Sequence, residues 1–308
     1  MAQRSLLRSK RIKRTIGDTA FDVITVTLFI LFTLICIYPF YYIIINSISA
    51  NNLSASGAII FFPKKLQLQN YIEVLKLPGL GHAALVSIGR TVIGSAFTVF
   101  ASAFLGYLFT KDKMWGRKFW YRFIIVTMYF NAGLIPWFII MMNLQLTNNF
   151  LGYILPTIVQ PFNIILVKTY IESTPIALQE AAEIDGAGYL KVFLNVVLPI
   201  IKPILATIVV FSAVAQWNSF SDTLILMSDQ RLYTLQYILY EYMNQASSLA
   251  ALIQQSQNPS QLKNLITAQT TTSVQMTISV IVVFPILLVY PFFQKFFVKG
   301  IMIGAVKG

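Results

Sequence analysis

The sequence predicts an all-α, polytopic membrane protein with six transmembrane helices. Of its 308 residues, 56% are hydrophobic and only 11% are charged, whereas soluble domains carry roughly 25% charged residues. The apolar residues form long runs, each close to the length of about 20 residues that a bilayer-spanning helix needs. The formal net charge of +12 is concentrated between these runs. Charge placed in this way indicates membrane orientation and argues against nucleic-acid binding.

The first apolar run, Phe21 to Ile45, is too long for the hydrophobic part of a signal peptide and predicts an uncleaved first span. It follows a basic segment, residues 1–20. Five more runs are long enough to cross a bilayer: Leu85 to Thr110, Tyr121 to Met142, Phe150 to Ile171, Ile200 to Met227 and Thr271 to Phe293. The sequence therefore divides into the segment 1–20 and one transmembrane domain, 21–308.

The loops between the runs alternate in charge. Most of the 23 lysine and arginine residues lie before the first run and after the second, fourth and sixth runs. Cytoplasmic loops retain positive charge, so both termini are predicted to be cytoplasmic.

A long external loop, 228–270, follows the fifth run. Within it Leu232, Leu235, Ile238 and Leu239 recur at helical spacing. They predict a helix that docks a partner, lies at the membrane surface or packs on the bundle. The part from Gln254 to Asn264 is expected to be irregular.

The composition excludes several chemistries. The chain has one histidine, His82, and one cysteine, Cys36, which rules out an internal disulfide and zinc sites built from cysteine and histidine. No metal site is predicted. No glycine is followed by lysine, so the chain lacks the phosphate-binding loop G-x-x-x-x-G-K-[ST]. We therefore expect no enzyme activity in this chain, and any energy from ATP must come through a partner.

The loop between the fourth and fifth runs predicts a short helix with marked ends. Thr174 is expected to cap it, Pro175 to occupy its first position and Gly186 to end it in the left-handed conformation. Ala181 and Ala182 give it a smooth side that another backbone can approach closely. Such a helix either docks into a groove of another protein or packs on its own bundle.

This loop resembles the EAA signature of the permeases of binding-protein-dependent ABC importers. It contains Glu180-Ala181-Ala182, then Gly186, then Leu198-Pro199, with Val196 where the pattern usually has isoleucine. Further segments resemble the carbohydrate-importer branch, and within it the subgroup of alginate and other oligosaccharide importers: Asn131 to Pro136, Arg90 to Gly94, Leu232 to Gln236 and Tyr290 to Gly300. The resemblance covers essentially the whole chain.

The resemblance implies a type I ABC importer permease fold and an oligosaccharide as the imported substrate. Two six-helix permease chains, expected to be a heterodimer, form the pathway in the bacterial cytoplasmic (inner) membrane. An external solute-binding protein delivers the substrate, and two ATPase subunits use ATP and Mg, so this chain needs no cofactor. The cytoplasmic coupling loop 172–199 docks into an ATPase through Glu180, Ala181, Ala182, Asp185 and Gly186. Pro199 would break the helix before the fifth span.

Polar residues inside the spans are the candidates for the substrate pathway, because they are costly to satisfy in lipid. Amides and carboxylates bind sugar hydroxyls, and aromatic rings stack on sugar faces. The main candidates are Gln216, Trp217, Asn218, Asp222, Tyr129 and Asn131, with Ser219, Ser221, Trp137, Gln160 and Asn163 as further ones. The alternative for this set is hydrogen bonding between helices. Arg90 is expected to reach the outer head groups or to pair within the complex.

Other functions stay open at this point. A self-contained secondary carrier or channel would carry titratable groups inside several spans, whereas Asp222 is the only acid well inside the apolar runs. A permease of the same family could move a non-sugar solute. A membrane scaffold could use the short helix to recruit a soluble partner without transport.

Overall fold

The computed structural model describes residues 15–255 and 271–300. In these residues every regular element is helical, which confirms the predicted all-α class. The α-helices are α1 Ile16–Ser47, α2 Asn51–Ala55, α3 Gln69–Leu75, α4 Leu80–Leu108, α5 Arg117–Tyr129, α6 Leu134–Asn143, α7 Leu151–Ile154, α8 Pro161–Glu172, α9 Ala177–Ile184, α10 Tyr189–Val192, α11 Leu198–Ile200, α12 Lys202–Asn218, α13 Ser221–Leu226, α14 Leu235–Gln255 and α15 Thr271–Gly300.

Two helices are long and apolar enough to cross a membrane without a break. Helix α1 has 32 residues and α4 has 29. Helix α1 begins with a capping box in which Thr15 and Asp18 each satisfy a backbone amide of the other. Most of its apolar side chains are exposed, and it packs mainly against α15. Helix α4 lies at the centre and contacts α8, α12 and α14.

The predicted third, fourth and fifth spans are each interrupted. The third consists of α5 and α6, separated by residues 130–133. The fourth bends by 46° between the segment Leu151–Thr157 and α8. The fifth runs as α12 and α13, with residues 219–220 between them. By length and composition, two to four spans are recognised in the described residues, and the count of six remains a prediction.

The segment before α12 turns sharply, but the turn lies after Pro199, where the break was predicted, and not at it. The helical segment Tyr189–Ile200 meets α12 at 81°, and the turn falls at Ile201, just after Pro199. A π-helical turn, Phe193–Val197, comes directly before this proline, and the Leu198 amide closes it on the Phe193 carbonyl. In a π-helical turn each backbone hydrogen bond spans five residues, one more than in an α-helix. The turn therefore changes which backbone groups pair just before the proline, and Pro199 remains in the helix.

The core is divided between the two ends of the bundle. At the end that carries α9, Tyr107, Val167 and Phe193 belong to one buried cluster. At the end that carries the start of α14, a second cluster includes Val74, Leu235 and Ile278. Ile238 and Leu239 pack against this second cluster. Helix α14 therefore packs on the bundle. Most of the stretch predicted to be irregular lies outside the described residues, and α14 extends to Gln255.

Gly106 lets α4 and α8 approach closely. A Cβ at Gly106 would lie 2.7 Å from Val167 Cγ1 and 3.2 Å from the Ile164 carbonyl oxygen. A Cβ at Gly89 on the same helix would meet its nearest neighbour, the Phe150 ring, at an ordinary 3.6 Å.

We expect Gly106→Ala to destabilise the protein by about 1–3 kcal/mol relative to Gly89→Ala, because the added methyl overpacks the helix contact. Both changes gain the same helix propensity, so the difference isolates the contact. Thermal unfolding of the two variants in the same detergent measures it. Equal stability would show that α4 and α8 can separate freely at this point.

Candidate functional sites: a polar groove and an exposed helix

Two neighbouring cavities form one polar groove in the bundle. Their volumes are about 370 and 490 Å³, and both are lined by Thr157, Ser219 and Asp222. The first adds polar side chains from α4, α8 and α12 and from the residue just before α8, among them Arg90, Gln160, Asn163, Ser212 and Gln216. The second adds Asn131, Trp137 and Ser221.

The interruptions of three predicted spans converge on this groove. Its walls include Asn131 and Gly133 from the first interruption, Gln160 from the second and Ser219 from the third. Gly133 has a φ of 91°, a backbone conformation that favours glycine. Non-helical backbone at membrane depth is tolerated where it is buried in protein or lines a water-filled cavity. The groove is therefore the place where the broken helices present polar groups inside the bundle.

A buried arginine holds two walls of the groove together. Arg90 on α4 is 1% exposed. Its Nε and Nη2 donate to Gln216 Oε1 at 3.1 and 3.0 Å, and its Nη1 donates to Asp222 Oδ1 at 3.1 Å. A second bond from Nη2 to Oδ2 makes the pairing with Asp222 bidentate. The guanidinium also lies 4.4 Å from the centre of the Tyr153 ring.

The surroundings of Arg90 complete this network. Gln216 Nε2 donates to Thr157 Oγ1 at 2.7 Å. Gly94 leaves the room for Gln216, since a Cβ there would lie 2.6 Å from its Nε2. The charge of Arg90 is thus neutralised inside the chain. Of the two expectations for Arg90, pairing inside the protein is the one that the structure shows.

We expect Arg90→Met to destabilise the protein by about 3–5 kcal/mol, because the mostly buried Asp222 carboxylate would lose its cation. The double variant Arg90→Met/Asp222→Asn removes both charges and should recover much of that loss. Unfolding of the variants in one detergent provides the comparison. A double variant no more stable than Arg90→Met would contradict the pairing.

The structure brings together only part of the predicted pathway set. Gln216, Asp222 and Asn131 line the groove. Trp217 points to the other side of α12, where its indole N–H donates to the Val282 carbonyl at 3.0 Å and its ring lines an apolar cleft. Tyr129 is 84% exposed and lies outside the groove-lining set.

Asn218 also lies outside the groove lining and accepts a hydrogen bond from Gln236 Nε2. Consecutive residues of a helix point in different directions, so the polar cluster in the fifth run is divided between several surroundings.

Sequence reasoning missed the role of Arg90 as the organiser of the groove. A signal was present, since Arg90 and Asp222 are opposite charges in two apolar runs, and buried charges need partners. Thr157 was missed as well. No sequence pattern predicts Thr157 as a groove residue, because only the bend before α8 turns it toward the groove.

The short helix α9 lies at the opposite end of the bundle from the start of α14. Gly186 adopts a φ of 80°, and the Ala187 amide bonds back to the Ala182 carbonyl, so the predicted end of the helix is confirmed. The predicted start is wrong. Thr174 Oγ1 donates to the Ile171 carbonyl at the end of α8, and α9 begins at Ala177 without a side-chain cap. The carbonyls that end α8 lack donors within their own helix and compete successfully for this hydroxyl.

One side of α9 packs on the bundle and the other is open. Gln179 is buried, and Ala182 packs against the core. Large apolar side chains remain exposed around it, with Ile176 66%, Leu178 50% and Ile184 85% exposed. Ala181 is exposed as well and has a small side chain, so another chain can approach this side of the helix closely. Exposed apolar groups of this kind mark an interaction surface.

Lys111, just after α4, ties α9 to the bundle. Its Nζ donates to Gln179 Oε1 at 3.0 Å and to Glu183 Oε1 at 2.9 Å. The same ammonium lies 5.0 Å from the centre of the Tyr107 ring. The hydrogen bond and charge of Lys111 lower the pKa of the Glu183 carboxyl. The bridge therefore contributes most above the ordinary glutamate pKa and is lost as the pH falls through the lowered value.

Broken apolar helices around a polar groove, with an exposed helix at one end, define a membrane transport component that engages another protein. Residues 98–303 match the family described as the binding-protein-dependent transport system inner membrane component. The chain belongs to this family, as its EAA-like segment implied. It is a multi-pass permease component of an ABC transporter and not itself an enzyme.

Known relatives cover nearly the whole chain. The polygalacturonan/rhamnogalacturonan transport system permease protein YtcP of Bacillus subtilis is 31% identical over 94% of this chain and 98% of its own length. Protein LplC of the same species is 34% identical over 89% and 90%. A chain of a bacterial ABC transporter involved in the import of the acidic polysaccharide alginate superposes with a TM-score of 0.80, at 28% identity over 92% of this chain and 99% of that chain.

Proposed function

We propose that this chain is one permease subunit of an ATP-driven importer that moves an oligosaccharide across the cytoplasmic membrane. The polar groove carries the proposal. Its lining of amide, hydroxyl and carboxylate groups suits sugar hydroxyls, and Trp137 offers an aromatic face. Relatives named for polygalacturonan and alginate transport support a carbohydrate substrate.

The proposed partners follow from the two sites. The open side of α9, with Glu180, Ala181, Ala182, Asp185 and Gly186, docks into an ATPase that uses ATP and Mg²⁺. We place this end, and both termini, in the cytoplasm because the basic loops lie on this side. A second, different permease completes the groove. An external solute-binding protein delivers the sugar at the end that carries the start of α14.

The mechanism is alternating access. Binding of ATP draws the two ATPases together, and α9 moves with the ATPase on which it sits. The bundle then switches between inward-facing and outward-facing arrangements as packed units. The groove holds the sugar during the switch because its hydrogen-bonding groups replace water.

The decisive experiment is reconstitution of the copurified complex in liposomes with the binding protein loaded with candidate oligosaccharides. We expect an ATPase and a second permease to copurify, and hydrolysis to rise with the loaded binding protein and to drive uptake. Uptake by this chain alone under an ion gradient would replace the proposal with a secondary carrier. Recruitment of a partner without any flux would favour a scaffold.

Gly186→Val should uncouple uptake from ATP hydrolysis, because a β-branched residue is strained at the φ of 80° that ends α9. Space is not the obstacle, since a Cβ at Gly186 meets nothing within 4 Å. Gly188→Val is the matched control, with the same free space and an ordinary φ of −70°. Sugar moved per ATP hydrolysed is the measurement. Equal ratios in both variants would refute the role of the turn.

Gln160→Leu should raise the KM for uptake by about fivefold, since a hydrogen bond to sugar contributes about 1 kcal/mol. Gln275→Leu is the control, because this amide bridges α15 to the Tyr242 carbonyl away from the groove. Uptake at a series of concentrations of loaded binding protein gives the KM. A similar change in both variants would mean that Gln160 serves only helix packing.

A further inference from the structure

We propose that α4 is the rigid element that carries the displacement of α9 to the polar groove, with Lys111 at one end and Arg90 at the other as positioning residues. The inference rests on the proposed function. It adds the structural connection through which a movement of α9 reaches the polar groove.

At the α9 end, the attachment is made of several contacts from one short stretch. Lys111 holds Gln179 and Glu183, as described above. The Tyr107 hydroxyl donates to the Tyr189 carbonyl at 3.1 Å, which secures the segment that follows α9. Tyr107 is 1% exposed and lies 5.3 Å, ring centre to ring centre, from Phe193. A displacement of α9 therefore pulls on the last turn of α4.

At the groove end, the attachment is Arg90. Its guanidinium binds both Asp222 oxygens, Gln216 and the Ser219 carbonyl at 3.3 Å. These three residues are groove walls, and two of them flank the interruption between α12 and α13. A guanidinium has no freedom to satisfy so many acceptors after a large shift, since its donors form a fixed fork. Movement of Arg90 therefore moves the walls.

The connection between the two ends is an unbroken helix. From Arg90 to the end of α4 the helix has no interruption, and tight turns carry the chain on to Lys111. At about 1.5 Å per residue this part of the chain spans roughly 30 Å. The predicted third, fourth and fifth spans are instead interrupted beside the groove and can bend there. Within the described residues, α4 joins the two attachments most directly.

The first test changes the α9 end in the full complex. Lys111→Met should lower the sugar moved per ATP by at least about fivefold. Lys111→Arg, which keeps a cation that can reach both acceptors, should retain the wild-type ratio. Lys118→Met is the control, as it removes the same charge from a neighbouring exposed position. Poor folding would lower transport and hydrolysis together and leave the ratio unchanged.

The second test changes the connection and leaves both attachments intact. Ala96 and Phe97 are exposed on α4 between Arg90 and Lys111. Ala96→Gly/Phe97→Gly should lower the ratio, because glycine weakens a helix by about 1 kcal/mol per residue relative to alanine. Ala96→Leu/Phe97→Leu changes the same side chains with good helix formers and should keep the ratio.

The outcomes separate this inference from the proposed function. The role of α4 would be overturned if Lys111→Met kept wild-type uptake and moved the wild-type amount of sugar per ATP. It would also be overturned if the glycine and leucine pairs moved equal amounts of sugar per ATP. Neither result would contradict the proposed importer function. A wild-type complex that moves no sugar with ATP would overturn both. Loss of coupling in Lys111→Met and in the glycine pair, with coupling kept in their controls, supports the route through α4.

Discussion

The bidentate pairing of Arg90 with Asp222 is the constraint on which the groove depends. A buried guanidinium is costly unless its donors are satisfied, and here the acceptors come from α12, α13 and the turn between them. This requirement fixes where α12 ends and how α13 continues. It also places Gln216 against Gly94, because a residue with a Cβ at position 94 would collide with the Gln216 amide. One cation, Arg90, therefore determines how the polar groups around the groove are arranged.

Different interactions stabilise the region around α9 and the region around the groove. Around α9, apolar packing is incomplete, and a lysine with two tyrosine rings holds the helix in place. At the groove, Arg90, Asp222, Gln216 and Thr157 form a hydrogen-bonded network within the chain, while the buried Ser212 hydroxyl has no partner there. A loosely packed, exposed end is suited to binding another protein, whereas a satisfied network keeps a defined shape when water and substrate exchange.

The sequence predicted the helical class and the α9 turn well, because apolar run length and a glycine in the left-handed conformation are local signals. Interruptions of the spans were harder. Gly133 and Pro161 mark two of them, but Ser219 and Phe220 carry no such mark, and tertiary pairing with Arg90 decides that break. The sequence predicted that Gln216, Trp217, Asn218 and Asp222 all belong to the substrate pathway. A helix distributes consecutive residues over several faces, and Trp217 accordingly faces α15.

The surroundings of α1 have a consequence for how the chain is made. This helix precedes the other described helices in the chain, yet its main partner among them is α15, which follows all the others. Until α15 has been made, the end of α1 around Ile43 and Ile44 lacks the helix on which it packs in the finished chain. A product terminated before α15 would therefore display α1 without its main helix partner.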